Sequence, residues 1–305
     1  MEITTAMIKE LREKTGAGIL DCKSALAEAN GSIEEAEKSL RKKGLAAAAK
    51  KAGRVAAEGL VGYACDGSIA ALVELNCETD FVAKTDDFKA ARAALAAFVA
   101  AEVSFGDAPE GNAEALKAMP CPPAVPGATG TIADWLQAAT AKTGENTQVR
   151  RFARVVAGAG NALHLYAHPG DKTVVVVETT GCDAELGRDL AMQVAALTPS
   201  WAVREQVPEK VLADEREIAR AQAVASGKPE NVVEKMVEGR IGKFFGEAVL
   251  VDQPFVKDDS KKVAQVVAER GGKDAKVVRF VRYKVGEGVE KKQTDLAAEV
   301  AALTK

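Results

Sequence analysis

Apolar residues in the first 54 positions recur at the spacing of an α-helix, and glycines interrupt them. Three apolar stripes follow one another: Met7, Ile8 and Leu11; then Ile19, Cys22, Leu26 and Ala29; then Ile33, Ala36 and Leu40. Ser32 and Glu35 form a capping-box pattern at the start of the third stripe. We therefore predict a compact module of three helices over residues 1–54, with the third helix ending at Gly44.

A second pattern, a β-hairpin followed by an alanine-rich helix, occurs twice along the chain. In the first copy a strand ends near Tyr63, turns at a glycine and returns as a strand that ends in Glu74. About 103 residues later the same order recurs around Tyr166 and Glu178. Helical patterns follow at residues 88–101 and at about 184–197. The repetition predicts duplicated α+β core subdomains with small antiparallel sheets.

The second copy contains an insertion with a different pattern. Residues 208–247 carry two helical stripes separated by Ser226-Gly-Lys-Pro229, which predicts a helical hairpin with its turn at this segment. Strand patterns resume at 248–255 and 275–283, with a helical pattern at 262–269 between them. A short amphipathic pattern at 295–303 predicts a C-terminal helix that docks on this protein or on another.

Prolines mark the connection between the two copies. Five of the ten prolines lie between Pro109 and Pro126, which predicts an irregular linker, and a helical pattern follows at 132–139. The predicted fold is α+β. Its predicted divisions are residues 1–54, 55–140, 141–207 together with 248–285, 208–247 and 286–305.

A polar turn at Thr79-Asp80-Phe81-Val82 separates the strand pattern of the first copy from its helix. Loops at strand ends carry function more often than cores do, because a rigid scaffold aims them outward. A large apolar residue in such a turn either folds back onto its own core or is offered to a partner. The local pattern alone favours folding back for Phe81, and the rest of the chain reverses that preference.

Composition narrows the class of function. The net charge is −3, with 41 basic and 44 acidic residues, so no basic excess points to nucleic-acid binding. No apolar stretch reaches the ~18 residues of a membrane span. The first residues match neither a signal peptide nor a transit peptide, so we expect a cytoplasmic protein that uses no membrane.

The sequence offers little catalytic or metal-binding chemistry. The five cysteines are scattered and favour reduced thiols. His164 and His168 lie in a strand pattern, where four residues separate side chains by about 13 Å, so a metal site is not expected. Phosphate-loop, dinucleotide-loop and hydrolase motifs are missing. We expect a binding protein without a cofactor, not an enzyme.

A basic segment follows the third apolar stripe. Its cations are Arg41, Lys42, Lys43, Lys50, Lys51 and Arg54, with no acidic residue among them. Two interpretations remain open, a solvated helix face and a docking surface for an acidic partner.

Several motifs together resemble one family. They are Thr15-Gly-Ala-Gly-Ile-Leu-Asp-Cys-Lys23, Ala46-Ala-Ala-Ala-Lys-Lys-Ala52, Asn76-Cys-Glu-Thr-Asp-Phe-Val-Ala-Lys84, Ser226-Gly-Lys-Pro229, Glu234-Lys-Met-Val-Glu-Gly-Arg240, Gln253-Pro-Phe255 and Val285-Gly-Glu-Gly288. In this order and spacing the chain resembles the bacterial elongation factor Ts family over nearly its whole length. Members of that family exchange the nucleotide of elongation factor Tu.

The resemblance implies an architecture and a set of contacts. It implies an N-terminal ubiquitin-associated-like (UBA-like) module, the two core subdomains, a coiled-coil hairpin and a C-terminal helical module. The N-terminal module and the first core subdomain would contact the GTPase domain of elongation factor Tu, and the second core subdomain would contact its far β-domain. Thr79, Asp80, Phe81 and Val82 would form a wedge beside the Mg²⁺ and nucleotide site of that partner.

Contacts of the N-terminal module are expected at Lys9, Arg12, Ile19, Leu20, Lys23 and Lys51. The alternative for Ile19 and Leu20 is the core of the helical module, and for Lys9 and Arg12 it is a solvated helix face. Family members often carry a histidine where this chain has Gln193, so a partner contact at that position is in doubt here. The sequence also leaves open whether two copies of the chain pair.

The implied mechanism is release of GDP by displacement of elements around the phosphate and Mg²⁺ site. Burying Phe81 yields only about 1.5–3 kcal/mol, whereas weakening nucleotide binding ~10⁴-fold needs about 5.5 kcal/mol. A wider interface must therefore supply the remainder. The alternative function is a non-catalytic adaptor, whose helical module binds a protein without any coupling to a nucleotide.

Overall fold

The N-terminal module consists of three helices. The structure, a computed structural model, describes residues 3–15 and 17–290, and it places α1 at Thr5–Thr15, α2 at Ile19–Glu28 and α3 at Ile33–Lys51. Leu11, Cys22 and Leu26 are fully buried between the helices. The Ser32 hydroxyl accepts a hydrogen bond from the Glu35 backbone N–H (3.3 Å), which caps α3 as the sequence predicts.

The first core unit is a four-stranded sheet covered by helices. Its elements are β1 (Glu58–Cys65), β2 (Ile69–Cys77), α4 (Asp80–Ala83), α5 (Asp86–Ala101), β3 (Ala108–Gly111), α6 (Ala113–Ala118), α7 (Ile132–Thr143) and β4 (Gln148–Val156). The strand order is β1-β2-β4-β3, and all neighbouring strands are antiparallel. Because β4 lies in this sheet, we move the predicted boundary at 140 to a position after Val156.

The second core unit repeats the arrangement with three strands. Its elements are β5 (Asn161–Ala167), β6 (Thr173–Thr180), α8 (Ala184–Leu197), α9 (Glu209–Val224), α10 (Glu230–Ala248), β7 (Pro254–Phe255), β8 (Asp258–Lys262), α11 (Val263–Arg270) and β9 (Lys276–Lys284). The sheet order is β5-β6-β9, again antiparallel, and β7 and β8 form a separate two-stranded ribbon. The predicted α+β fold is confirmed.

The helical hairpin is formed by α9 and α10, joined by a turn at residues 225–229. The strand predicted at 248–255 is largely wrong. Helix α10 continues to Ala248, a 3₁₀ turn follows at Leu250–Asp252, and only Pro254–Phe255 pair as a strand. Val249 and Leu250 are buried, so an apolar run that suits a strand here fills the base of the hairpin instead.

Helix α3 does not end at Gly44 as predicted. It continues to Lys51, because its second half packs on α7 of the core. A Cβ atom at Gly44 would lie only 3.1 Å from the Cβ of Ala141, so the glycine permits a close approach of the two helices. The cost of about 1 kcal/mol for glycine inside a helix is smaller than the gain from this packing.

The proline-rich segment is not a loose linker. Within it, β3 pairs with β4, and Leu116 of α6 and Val125 are buried in the first core. The indole Nε1–H of Trp135 donates a hydrogen bond to the Pro126 carbonyl (3.0 Å) and so holds the loop against α7. The predicted C-terminal helix at 295–303 lies outside the described residues, and so do residues 291–305 of the predicted C-terminal module.

The two units share a buried glutamate at the same place in each sheet. Glu74 of β2 is opposite Arg151 of β4, and Glu178 of β6 is opposite Arg279 of β9. In both pairs a β-bulge follows the glutamate directly, and the Glu Oε2 to Arg Nε distances are 2.5 and 2.6 Å. This repeated detail supports the internal duplication that the sequence predicts.

Each glutamate also accepts hydrogen bonds from a neighbouring segment of the chain. Glu74 accepts from the backbone N–H of Gly286 (2.8 Å), which attaches the end of β9 to the first sheet. Glu178 accepts from the Gly158 N–H (2.8 Å) and the Asn161 amide (2.6 Å) in the connection between the sheets. Both carboxylates therefore fix the places where the chain passes from one unit to the other.

We predict that Glu74→Ala lowers the free energy of unfolding by about 3 kcal/mol, because it removes the buried carboxylate that pairs with Arg150 and Arg151 and leaves the Gly286 N–H without an acceptor. Urea unfolding measures the change. The control is Glu247→Ala, which removes an exposed pair with Lys243 (3.6 Å) and should cost less than about 0.5 kcal/mol. Equal unfolding midpoints for the two variants would contradict this role.

A second prediction concerns acid stability. Burial raises the pKa of Glu178, but hydrogen bonds from Asn161, Gly158 and Arg279 outweigh burial, and the net shift is downward. The contribution of such a carboxylate is complete above its unfolded pKa of about 4.3 and is lost as the pH falls through the lower folded pKa. The stability difference between the wild type and Glu178→Gln should therefore be largest near neutral pH and narrow in acid. A difference in urea midpoints that stays constant down to about pH 3 would refute it.

Candidate partner-binding surface

Phe81 lies on a short helix that presents it to solvent. Helix α4 begins at Asp80, three residues after the end of β2, and is only one turn long. Ala83 is buried and Val82 packs against the first core, so these two side chains hold the turn down. The Phe81 ring is 79% exposed. The ring therefore does not fold back onto the core of its own protein but points outward into solvent.

The backbone around Thr79 is fixed from two sides. The Cys77 Sγ lies 3.1 Å from the Thr79 carbonyl oxygen, and burial, then the nearby Glu145 charge, raise the pKa of Cys77 to about 12. The thiol is therefore protonated and donates to that carbonyl. On the other side, the Glu145 carboxylate accepts hydrogen bonds from the Thr79 N–H (2.9 Å) and hydroxyl (2.6 Å).

Asp80 is paired along its own helix. The Lys84 Nζ lies 2.6 Å from Asp80 Oδ2, and this hydrogen bond lowers the pKa of the carboxyl group. The pair is exposed and adds little stability, so it can be exchanged for contacts to another molecule at small cost.

The predicted residues of the N-terminal module divide into two groups. Leu20 and Ile19, at the start of α2, are 82% and 56% exposed, so the interpretation as module core is wrong for both. Lys9, Arg12 and Lys23 are also exposed, and the Lys9 Nζ lies 3.8 Å from a Glu13 carboxylate oxygen.

Lys51 differs from the other predicted contacts. Its Nζ donates to the Gly144 carbonyl oxygen (2.8 Å), so it joins α3 to the core instead of standing free. Arg41, Lys42, Lys43 and Lys50 are exposed. Of these, Lys43 pairs with Glu28 at 2.9 Å.

A groove brings the N-terminal module and the turn to one side of the molecule. The end of α1, at Glu13 and Thr15, forms one wall, while Val82 and Phe88 form another beside Trp135. The end of α1 and the helix that carries Phe81 therefore border the same depression.

Gln193 is not on this surface or on any other. It is fully buried in α8, where its Nε2 donates to Gln253 Oε1 (3.1 Å) and to the Pro254 carbonyl (3.0 Å). Its Oε1 accepts from the Val256 N–H (2.7 Å). These hydrogen bonds hold the loop after the hairpin, and the side chain has no exposed surface.

The two histidines have separate partners. His164 Nε2 lies 2.9 Å from the Thr179 hydroxyl, and burial lowers the pKa of this histidine. His168 Nδ1 lies 3.2 Å from the Tyr166 hydroxyl. Over residues 3–15 and 17–290, no cluster of three or more potential metal ligands occurs. In the same part of the chain, no helix is long and apolar enough to cross a membrane.

The sequence interpretation did not identify Glu145 and Asn146 as part of this region. They follow the end of α7 and precede β4. The hydrogen-bond partners of their side chains are 66 or more positions away, so no local spacing reveals them. The sequence gives only a weak signal for them. Two polar residues directly follow Gly144, which ends α7, in the short connection to β4.

Comparison with known proteins agrees with these features. A family model described as Elongation factor TS matches residues 78–287. The chain is 48% identical to elongation factor Ts of Methylococcus capsulatus, over 99% of this chain and 98% of that protein. It is 49% identical to elongation factor Ts of Thioalkalivibrio sulfidiphilus, over 100% of this chain and 99% of that protein. The chain therefore belongs to the elongation factor Ts family of translation elongation factors.

Proposed function

We propose that this protein is the guanine nucleotide exchange factor for elongation factor Tu and acts in the cytoplasm. The observation that carries the proposal is the 79% exposed Phe81 on a turn whose backbone is fixed by Glu145. An apolar ring held outward at a defined position is suited to enter a gap in another protein. Family membership supplies the identity of that protein.

Phe81 would act as a wedge beside the nucleotide of the partner. A GTPase holds phosphate with backbone N–H groups and with Mg²⁺, so small displacements of those groups weaken nucleotide binding. Thr79 and Val82 would set the angle of the ring, and Asp80 would exchange its Lys84 contact for polar groups of the partner. The nucleotide and the metal belong to the partner, and this chain supplies only the displacement.

The N-terminal module would supply a large share of the binding energy. Leu20 and Ile19 present apolar area, and Lys9, Arg12 and Lys23 are exposed cations of the same module. Burial of one leucine contributes about 2 kcal/mol, comparable to the contribution of Phe81. Exchange requires tighter binding to the nucleotide-free partner than to the GDP-bound partner. The contact through Leu20 and Ile19 would add binding energy to the contact through Phe81.

The decisive experiment measures release of a fluorescent GDP analogue from elongation factor Tu. Phe81→Ala should slow release by about 10- to 100-fold, since loss of 1.5–3 kcal/mol changes a rate or an equilibrium by that factor. The melting temperature should not change, because the ring has little contact with its own core. Val103→Ala is the matched control, since Val103 is 78% exposed and lies beyond the far end of α5.

Three other outcomes would revise the proposal. Equal release by Phe81→Ala and Val103→Ala would keep the exchange function but remove the wedge. A melting temperature that falls together with activity would make Phe81 a structural residue. Binding to elongation factor Tu without any release of GDP would favour the adaptor function.

A further prediction concerns the N-terminal module. Leu20→Ala should raise the dissociation constant for nucleotide-free elongation factor Tu by about 10- to 30-fold, because the lost apolar burial amounts to about 1.5–2 kcal/mol. Isothermal titration calorimetry gives the constant, and Val103→Ala again serves as the control. An unchanged constant for Leu20→Ala would exclude α2 from the interface.

A further inference from the structure

The segment after α7 connects the N-terminal module to the turn that carries Phe81. Glu145 accepts hydrogen bonds from the backbone N–H groups of Glu78 (3.2 Å) and Thr79 (2.9 Å), and from the Thr79 hydroxyl (2.6 Å). These are the last groups before α4 begins. A helix of one turn is not stable alone, so its position depends on such external contacts.

The next residue contacts the opposite element. The Asn146 side-chain amide donates to the carbonyl oxygens of Ala52 (3.2 Å) and Arg54 (2.7 Å), directly after the end of α3. Its backbone N–H donates to the Glu78 carboxylate (2.7 Å), which also lies 3.5 Å from the Arg54 guanidinium. Asn146 is 5% exposed, so these bonds are shielded from water.

Gly144 completes the arrangement, because its carbonyl accepts from Lys51 near the end of α3. Residues 144–146, which we call the clamp segment, therefore bond the N-terminal module on one side and the turn on the other. The end of α3 and the turn before α4 are thus held by the same three residues. A movement of the clamp segment would strain its hydrogen bonds to both.

We propose that Glu145 is a positioning residue for nucleotide exchange, which holds α4 at the angle at which Phe81 can enter the partner. The proposal rests on the proposed exchange function. Glu145 does not itself touch the partner's nucleotide. Loss of its carboxylate would leave binding through Leu20 and the rest of the interface, but the ring would no longer be aimed at one place.

The test compares Glu145→Ala with the wild type at increasing concentrations of the factor. We expect the maximal rate of GDP release to fall about ten-fold, as misplacement of a positioned group typically causes. The concentration that gives half of the maximal rate should change by less than about three-fold, because most of the interface is intact. A change confined to the half-saturating concentration would overturn the proposal.

Two matched variants separate positioning from general destabilisation. Glu102→Ala removes a carboxylate that likewise caps a single helical turn, through the Ser104 N–H (3.0 Å), at the other end of α5. It should leave the maximal rate unchanged. Glu145→Gln keeps an oxygen acceptor for the two N–H groups and should restore most of the rate. Equal losses in Glu145→Ala and Glu102→Ala would refute the assignment.

A double variant tests whether Glu145 acts through Phe81. If it does, Glu145→Ala should add little to the loss already caused by Phe81→Ala, since both changes remove the same action. Fully additive losses would contradict the proposal.

Amide hydrogen exchange provides a measurement that needs no partner. The Glu78 and Thr79 amides should exchange faster in Glu145→Ala, while amides in the middle of β2 should not change. If the wild type released no GDP, the exchange function would fail, and faster amide exchange would still establish the clamp. Unchanged amide exchange would refute the clamp whatever the release assay gave.

Discussion

The fold depends on two central strands that are apolar on both faces. In β2, Ala71, Val73 and Leu75 face the helices of the first unit, whereas Ala70 and Leu72 face the second sheet. Strand β6 alternates in the same way between α8 and the first sheet. A strand without a polar face must be covered on both sides, so each sheet packs against helices outside and against the other sheet inside.

This layering determines where charge can be buried. On the face of β2 and β6 that lies between the sheets, the series of apolar side chains ends at a glutamate, Glu74 in β2 and Glu178 in β6. A carboxylate in that space requires a cation and several donors, and the third strand of each sheet supplies the arginine. The other donors to these carboxylates come from the segment between β4 and β5 and from the segment after β9. The joint between the units is therefore fixed by polar contacts at its rim and by apolar contacts at its centre.

Features with a local signature could be predicted from the sequence. The paired hairpins, α8 and the hairpin of α9 and α10 follow from periodicity and from glycine or proline turns. The end of α3 could not be predicted, because Gly44 is a normal helix terminator until α7 packs against it. Likewise, the segment around Pro109 looks irregular until β4, about forty positions later, provides a strand for β3.

The candidate surface shows the same limit at the level of single residues. Local pattern identified the turn at Phe81 but favoured a ring folded back onto the core, whereas the ring points outward because Val82 and Ala83 fill the core beneath α4. Glu145 and Asn146 could not be found, because their hydrogen bonds join distant parts of the chain. Lys51 was predicted as a partner contact because of its charge, whereas its side chain donates a hydrogen bond to the Gly144 carbonyl oxygen.

The two units differ at one place that has an evolutionary consequence. In the second unit, only residues 181–183 join β6 to α8, whereas residues 78–85 join β2 to α5 and include α4. The first unit thus carries an additional helical turn between its central strand and its helix. Within that addition Val82 and Ala83 pack in the core, whereas Phe81 is exposed, so substitutions of Phe81 alter what the protein presents to others without disturbing either core. Selection could therefore refine the projecting ring while both cores stayed constant.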